Sequence, residues 1–142
     1  MTAAKKDFLR KARGVAVLLL DVDGVLTDGT IRLDEHGKEK KVFHVHDGQG
    51  IRWLLKAGVE VGIISGRSSG SVQARARELG ITLLFQGIED KWVLLQALLN
   101  KKGWHLEQVA YMGDDLVDLP LLQRVGLPIG VPNGHPLTHR SV

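Results

Sequence analysis

The stretch Val15-Ala16-Val17-Leu18-Leu19-Leu20-Asp21-Val22-Asp23-Gly24-Val25-Leu26-Thr27-Asp28-Gly29 is apolar for six residues and then turns acidic. Six residues are too few to span a membrane, and the run lacks the small-residue cleavage site of a secretory leader. A short, continuous apolar run bounded by turn residues reads as a strand buried on both faces. Asp21 and Asp23 then stand at the strand's end, two residues apart. Gly24 and Gly29 let the chain turn, so both carboxylates face one crevice.

Working outward, residues 30–34 and 39–45 alternate apolar and polar, with Ile31 and Leu33 on one arm and Phe43 and Val45 on the other. Glu35-His36-Gly37 lies between them, which predicts a β-hairpin flap over about 30–45. Residues 5–12 predict a short leading helix. After the hairpin, helix and strand alternate. Helices are expected over 49–57, 69–79, 90–102 and 116–124, and strands over 59–64, 81–85, 109–112 and 127–131. Gly58, Gly80 and Gly103 follow three of the helices. Strands separated by helices imply right-handed crossovers and a parallel sheet with helices on both faces. The expected fold is therefore α/β and Rossmann-like, a single domain over residues 1–142. Ligands of such sheets bind beyond the carboxyl ends of the strands.

Composition agrees with this class. The chain has 142 residues, 44% hydrophobic and 25% charged, and no cysteine, which excludes disulfides, thiolate metal sites and a cysteine nucleophile. A formal charge of +3 is too small to argue for nucleic acid. The basic run Lys5, Lys6, Arg10, Lys11 and Arg13 reads as a solvated face. A soluble cytoplasmic protein without a membrane or nucleic-acid partner is expected.

The other strand ends carry chemistry too. The second helix-linked strand ends in Ser65-Gly66-Arg67, Lys91 opens the helix after the third, and the fourth ends in Gly113-Asp114-Asp115-Leu116-Val117-Asp118. Two carboxylates about 4 Å apart repel by roughly 4 kcal/mol at an effective dielectric of 20. Gathering Asp21, Asp23 and Asp114 therefore calls for a hard divalent cation, Mg²⁺ where phosphate also binds. Lys91 and Arg67 suit a phosphate dianion.

Taken in this order, DVDGVLTDG, SGR, Lys91 and GDDLVD resemble the four motifs of haloacid dehalogenase superfamily phosphatases. The hairpin, the HVHDGQGIRWL segment and the VPNGHPL segment resemble the capless branch that hydrolyses 3-deoxy-D-manno-octulosonate 8-phosphate (KDO 8-phosphate) in lipopolysaccharide precursor synthesis. The resemblance covers about residues 14–137. It implies Asp21 as nucleophile, Asp23 as general acid and base, and Mg²⁺ held by Asp21, Asp114 and the backbone carbonyl of Asp23. Ser65 and Lys91 would hold the phosphoryl oxygens, with Asp115 and Asp118 as supporting groups or helix caps. It also places residues 44–48, namely His44, Val45, His46, Asp47 and Gly48, against the substrate, with Arg52, Arg67 and Arg75 as anion binders beside Asp23 and Lys91. A homotetramer built around the hairpins follows from the same resemblance.

Two departures stand out. The family pattern reads asparagine and, two residues on, arginine where this chain has His44 and His46, which admits a nine-carbon sugar-acid 9-phosphate as an alternative substrate. The family also continues with another strand, a glycine-rich turn and a helix beyond the point where this sequence ends, at Val142. A phosphoacceptor receiver domain is the non-enzymatic alternative, and Asp23 argues against it because an acid/base there would hydrolyse the phosphoaspartate. Asp28 is expected to be a turn residue, Asp115 an N-cap, and His44 and His46 neighbours on one strand face. Trp53, Trp92 and Trp104 are expected to pack rather than bind.

Overall fold

The apolar run becomes the centre of the sheet. In the computed structural model, which describes residues 1–142, it forms β1 (Val17–Leu20) between two parallel neighbours, β4 (Glu60–Ile64) and β6 (Val109–Met112). The outer strands are β5 (Leu83–Phe85) and β7 (Leu127–Ile129), giving the order β5-β4-β1-β6-β7. Leu20 lies opposite Ile63 on one side and Met112 on the other. Pro128 interrupts only an edge strand, where a missing N–H is tolerated.

Alternation along the strands feeds two cores. Val17 and Leu19 of β1, with Ile64, Val109 and Tyr111, meet Leu95 and Leu98 of α4 (Lys91–Lys102) and Leu121 and Leu122 of α5 (Leu119–Leu122). On the opposite face Leu20, Val61 and Ile63 meet Ile51 of α2 (Val45–Lys56) and Val72, Ala76 and Leu79 of α3 (Gly70–Leu79). Each such aliphatic side chain contributes roughly 2 kcal/mol when fully buried. Thr2 caps α1 (Ala3–Arg13), which buries no residue. The last helix is α6 (Pro136–His139).

The chain runs from β1 outward through β4 and β5, then returns to β6 and β7 on β1's other side. The winding direction reverses at β1, so the crevice opens beyond Leu20, where Asp21 follows. Four expectations shift. The hairpin ladder is shorter than 30–34 with 39–45: only β2 (Arg32–Leu33) and β3 (Glu39–Lys40) pair. Its turn is fastened by Asp34, whose Oδ1 accepts from the N–H of His36 and Lys38. The helix expected over 49–57 begins earlier, at Val45, so His44 and His46 do not share a strand face. His44 is the N-cap, its Nδ1 accepting from the His46 N–H at 3.1 Å. The helix expected over 116–124 divides into a 3₁₀ turn, Leu116–Asp118, and the short α5, with Asp118 turned inward at the junction and Pro120 in the first turn. Phe43 is not on an exposed ribbon face either. It packs into the α2–α3 core, with the Arg75 guanidinium 5.8 Å from its ring centre.

Candidate active site

Asp21 follows β1 with its backbone N–H still bonded to the Met112 carbonyl, so the sheet itself fixes where the carboxylate begins. The loop after it is wound around Thr27, whose Oγ1 accepts from the N–H of Gly24 and Gly29. Gly24 has φ +89°, and a Cβ there would sit 1.8 Å from Asp114 Oδ2. Only glycine lets this loop lie against Asp114. From the far end of the chain, Asn133 Nδ2 donates to the Gly24 carbonyl at 2.9 Å. Asp28 is a turn residue as expected, its Oδ1 accepting from the Thr30 N–H.

Lys91, the first residue of α4, is capped into place by Asp90 and reaches under the loop. Its ammonium donates to Asp21 Oδ1 at 2.8 Å, Asp118 Oδ1 at 2.7 Å and the Tyr111 hydroxyl at 3.0 Å. Burial works against this charge, but Asp21 and Asp118 outweigh it and raise the lysine pKa. Asp118, wholly buried, also accepts from the Tyr111 hydroxyl and from the backbone N–H of Asp114 and Asp115. Tyr111 is held well above its usual pKa by burial and by the Asp118 charge.

One cation among three carboxylates leaves the group short of positive charge. Oxygens of Asp21, Asp114 and Asp118 lie within 4.8 Å of one another. Burial raises the Asp21 pKa against the pull of Lys91. Asp114 is pushed up to about 7 by burial and by the facing Asp21. Asp114 Oδ1 is buried with no hydrogen-bond partner. Three carboxylates less one ammonium make a formal charge of −2, so these residues fit a divalent cation. Asp118 belongs to the cluster by distance, yet both its oxygens are taken by Lys91, Tyr111 and two N–H groups. The open ligand atoms belong to Asp21 and Asp114.

Ser65, buried at the end of β4, accepts from the Arg67 N–H through Oγ. Asp23 turns the other way, toward the hairpin, where Lys41 Nζ donates to its Oδ1 at 2.6 Å. Lys41 also binds Glu39, whose second oxygen takes Arg67 Nη2 at 3.0 Å. A groove of about 470 Å³ runs beside the loop between Thr27, Asp28, Val42, His44 and His46. Asp21, Lys91 and Asp114 are not among its walls, so the carboxylate cluster, not this groove, locates the chemistry.

The model for haloacid dehalogenase-like hydrolases matches residues 84–140. The 3-deoxy-D-manno-octulosonate 8-phosphate phosphatase KdsC of Escherichia coli (strain K12) is 47% identical over 131 residues, 92% of this chain and 70% of that protein. The chain belongs to the KdsC family of haloacid dehalogenase-like hydrolases. Among solved structures, the Yersinia pestis phosphatase of the same name superposes with a TM-score of 0.93 at 43% identity, covering 96% of this chain and 74% of that one. The Moraxella catarrhalis phosphatase, in complex with a magnesium ion, a phosphate ion and a KDO molecule, gives 0.90 at 42%, covering 94% and 76%.

Within this KdsC-family frame the expected residues divide into two groups. Asp21, Asp114 and Lys91 meet in one cluster, and Asp23, Ser65 and Arg67 sit on the flanking loops. The remainder lie along α2 and α3. His44, His46 and Asp47 wall the groove, while Val45 is 78% exposed. Gly48 is buried beneath Arg75, and a Cβ there would displace the Arg75 guanidinium. Arg75 donates to Glu78 and to the His44 carbonyl, and Arg52 donates to the Glu78 carbonyl, so in this chain both arginines fasten α2 to α3. Asp115 caps the 3₁₀ turn through the Leu116 N–H. Trp104 is buried, whereas Trp53 is 65% exposed, against the expectation that it packs. Tyr111, Asn133, Glu39 and Lys41 were not singled out by the sequence. Tyr111 had one legible signal, a hydroxyl three residues before Asp114 on a strand otherwise apolar.

Proposed function

We propose that this chain is a Mg²⁺-dependent phosphomonoesterase that releases phosphate from KDO 8-phosphate through an aspartyl-phosphate on Asp21. The observation that carries the reading is the juxtaposition of Asp21, Lys91 at 2.8 Å and the unpartnered Asp114 Oδ1 at the end of the central strand. The substrate is supported by the names of the relatives and by the Moraxella complex.

Asp21 Oδ1 is committed to Lys91, which leaves Oδ2 to form the bond to phosphorus. As the bond to the sugar oxygen breaks, Asp23 gives that oxygen its proton. In the second half Asp23 takes a proton from water, the water oxygen bonds to phosphorus, and Asp21 departs as a carboxylate. Ser65 donates to the phosphoryl oxygens where negative charge develops, and Lys91 holds them once one of its three N–H groups turns from its present partner. Mg²⁺, held by Asp21, Asp114 and the Asp23 carbonyl, supplies charge that offsets the carboxylates and the phosphoryl group.

Phosphate release from a panel containing KDO 8-phosphate, a nine-carbon sugar-acid 9-phosphate and hexose 6-phosphates tests this. KDO 8-phosphate is expected to give the highest kcat/KM, only with Mg²⁺, and with little activity in Ca²⁺, whose looser coordination misaligns attack. His46, in place of arginine, keeps a nine-carbon sugar-acid 9-phosphate as the second reading, and a higher kcat/KM on that substrate would select it. Full activity in excess chelator rejects the metal role.

The assembly belongs to the same proposal. We place the enzyme in the cytoplasm as a single-domain homotetramer acting on a small sugar-acid phosphate, with neither membrane nor nucleic acid as partner. The formal charge of +3 is too small to argue for nucleic acid, and no helix is long and apolar enough to cross a membrane. Ile31, Leu33, Val42 and Val45 stay 55% to 78% exposed on and beside the hairpin, an apolar surface that a two-residue ladder does not bury. Ile31→Asp with Leu33→Asp is expected to dissociate the oligomer in sedimentation and raise KM more than it lowers kcat. A fully active wild-type monomer overturns the assembly.

A further inference from the structure

Asp23 does not face the crevice unaccompanied. Lys41, just beyond β3, holds Asp23 Oδ1 at 2.6 Å, and its side chain is only 3% exposed. Burial opposes the lysine's charge, but its hydrogen bonds to Asp23 and Glu39 prevail and raise its pKa. Glu39 bridges from Lys41 to Arg67. The signs therefore alternate, Asp23, Lys41, Glu39, Arg67, across three segments: the loop after β1, the hairpin and the loop after β4. Arg67 is half exposed, so the Glu39–Arg67 pair adds little fastening. Lys41 does something different. It occupies one oxygen of Asp23 and leaves Oδ2 with no partner in the chain. A carboxyl that must deliver and recover a proton at one position gains from having its rotation fixed.

We propose that Lys41 is a positioning residue for Asp23, holding Oδ1 so that Oδ2 meets the leaving-group oxygen, with Glu39 keeping both Lys41 and Arg67 in place. The hairpin thereby acts as a latch on the acid/base. The inference rests on the phosphatase reading and on Asp23 as the proton donor. The proton on Oδ2 passes to the departing oxygen, and Oδ2 later takes one from water; Lys41 keeps its own protons throughout.

The test compares kcat on KDO 8-phosphate, whose alkoxide needs a proton to leave, with p-nitrophenyl phosphate, whose leaving group does not. Proton transfer by a positioned group is worth about 10²- to 10⁴-fold, so Lys41→Met is expected to lose about 30-fold on the alkyl phosphate and about 3-fold or less on the aryl one. Lys41→Arg should restore most of the difference, since a cation again reaches Oδ1. Equal losses on both substrates, or no loss on either, overturn the proposal and leave Lys41 a fastener of the hairpin. Where Lys41→Met does not fold, Glu39→Gln carries the test. Freeing Lys41 should give a smaller loss, again selective for the alkyl phosphate, and an unselective loss overturns the proposal. A wild type inactive on both substrates with Mg²⁺ defeats the phosphatase reading itself, which is distinct from an active wild type that Lys41→Met leaves unchanged.

Discussion

Asp21→Asn is expected to lower kcat by roughly 10⁴-fold or more while leaving a folded protein, because the substitution deletes the nucleophile and little else. The amide oxygen still accepts from Lys91, so the contact now at 2.8 Å has a counterpart in the variant. Stability gives a second, independent readout. Burial holds the Asp21 pKa above its unfolded value. The stability it contributes is therefore fully present below pH 3.8, the unfolded value, and is lost as pH rises through the raised folded value. Asp114, whose folded value is about 7, adds a loss of the same sign. In chelator, the wild type should lose thermal stability between pH 5 and pH 8 as Asp114 ionises beside Asp21 around a single ammonium. Asp21→Asn removes one of those charges, so its stability should fall less across that span and its melting temperature at pH 8 should equal or exceed the wild type's. Turnover above about one-hundredth of wild type sinks the covalent route. A variant as pH-sensitive as the wild type sinks the electrostatic account of Asp21.

What the sequence disclosed follows from how far each signal reaches along the chain. Asp21, Asp23, Ser65 and Asp114 were legible because each lies within a few residues of a strand's end, and strand ends of a parallel sheet converge on one crevice. Lys91 was legible from its place at the start of a helix and in the order of the four motifs. The hairpin was half legible. Glycine at 37 and alternating residues marked its turn and arms, but the pattern through Val42, Phe43, His44 and Val45 suits a strand and a helix start equally well. What decided it lies elsewhere: Lys41 is drawn to Asp23, Phe43 to the α2–α3 core, and His44 serves as an N-cap although histidine is not a usual one. A hydroxyl on an apolar strand marked Tyr111, but the contacts of Tyr111 with Lys91 and of Asn133 with Gly24 were not legible. They depend on strand register and on where a side chain points within a packed layer, which no local period encodes. Arg52 and Arg75 carry contacts that the sequence did not suggest. Positive charge near the expected substrate segment read as anion binding, and in this chain their hydrogen bonds join α2 to α3.

Asp118→Asn should be the most destabilising single substitution in the site. The Asp118 carboxylate is wholly buried and accepts from Lys91, the Tyr111 hydroxyl and the N–H groups of Asp114 and Asp115. An amide has one acceptor oxygen and no charge, so at least one side of this arrangement loses its partner. Lys91 keeps Asp21, but losing the Asp118 charge and one of its acceptor oxygens leaves buried donors short of partners, which costs about 3 kcal/mol. For a chain of this size that is a fall in melting temperature of about 10 °C or more. Tyr111→Phe is the control: it removes the hydroxyl that donates to Asp118 and accepts from Lys91 but leaves the ion pair, at a cost of about 2 kcal/mol. The two substitutions also separate support from ligation. If Asp118 holds the Asp114 backbone and Lys91 but does not touch the cation, Asp118→Asn should weaken Mg²⁺ binding by about 10- to 100-fold. Asp114→Asn should weaken it further, since Asp114 carries the open, unpartnered oxygen. Calorimetric titration of Mg²⁺ into each variant measures the order. Weaker binding in Asp118→Asn than in Asp114→Asn would make Asp118 the ligand, and would require Lys91 and Tyr111 to find other partners when the ion is bound.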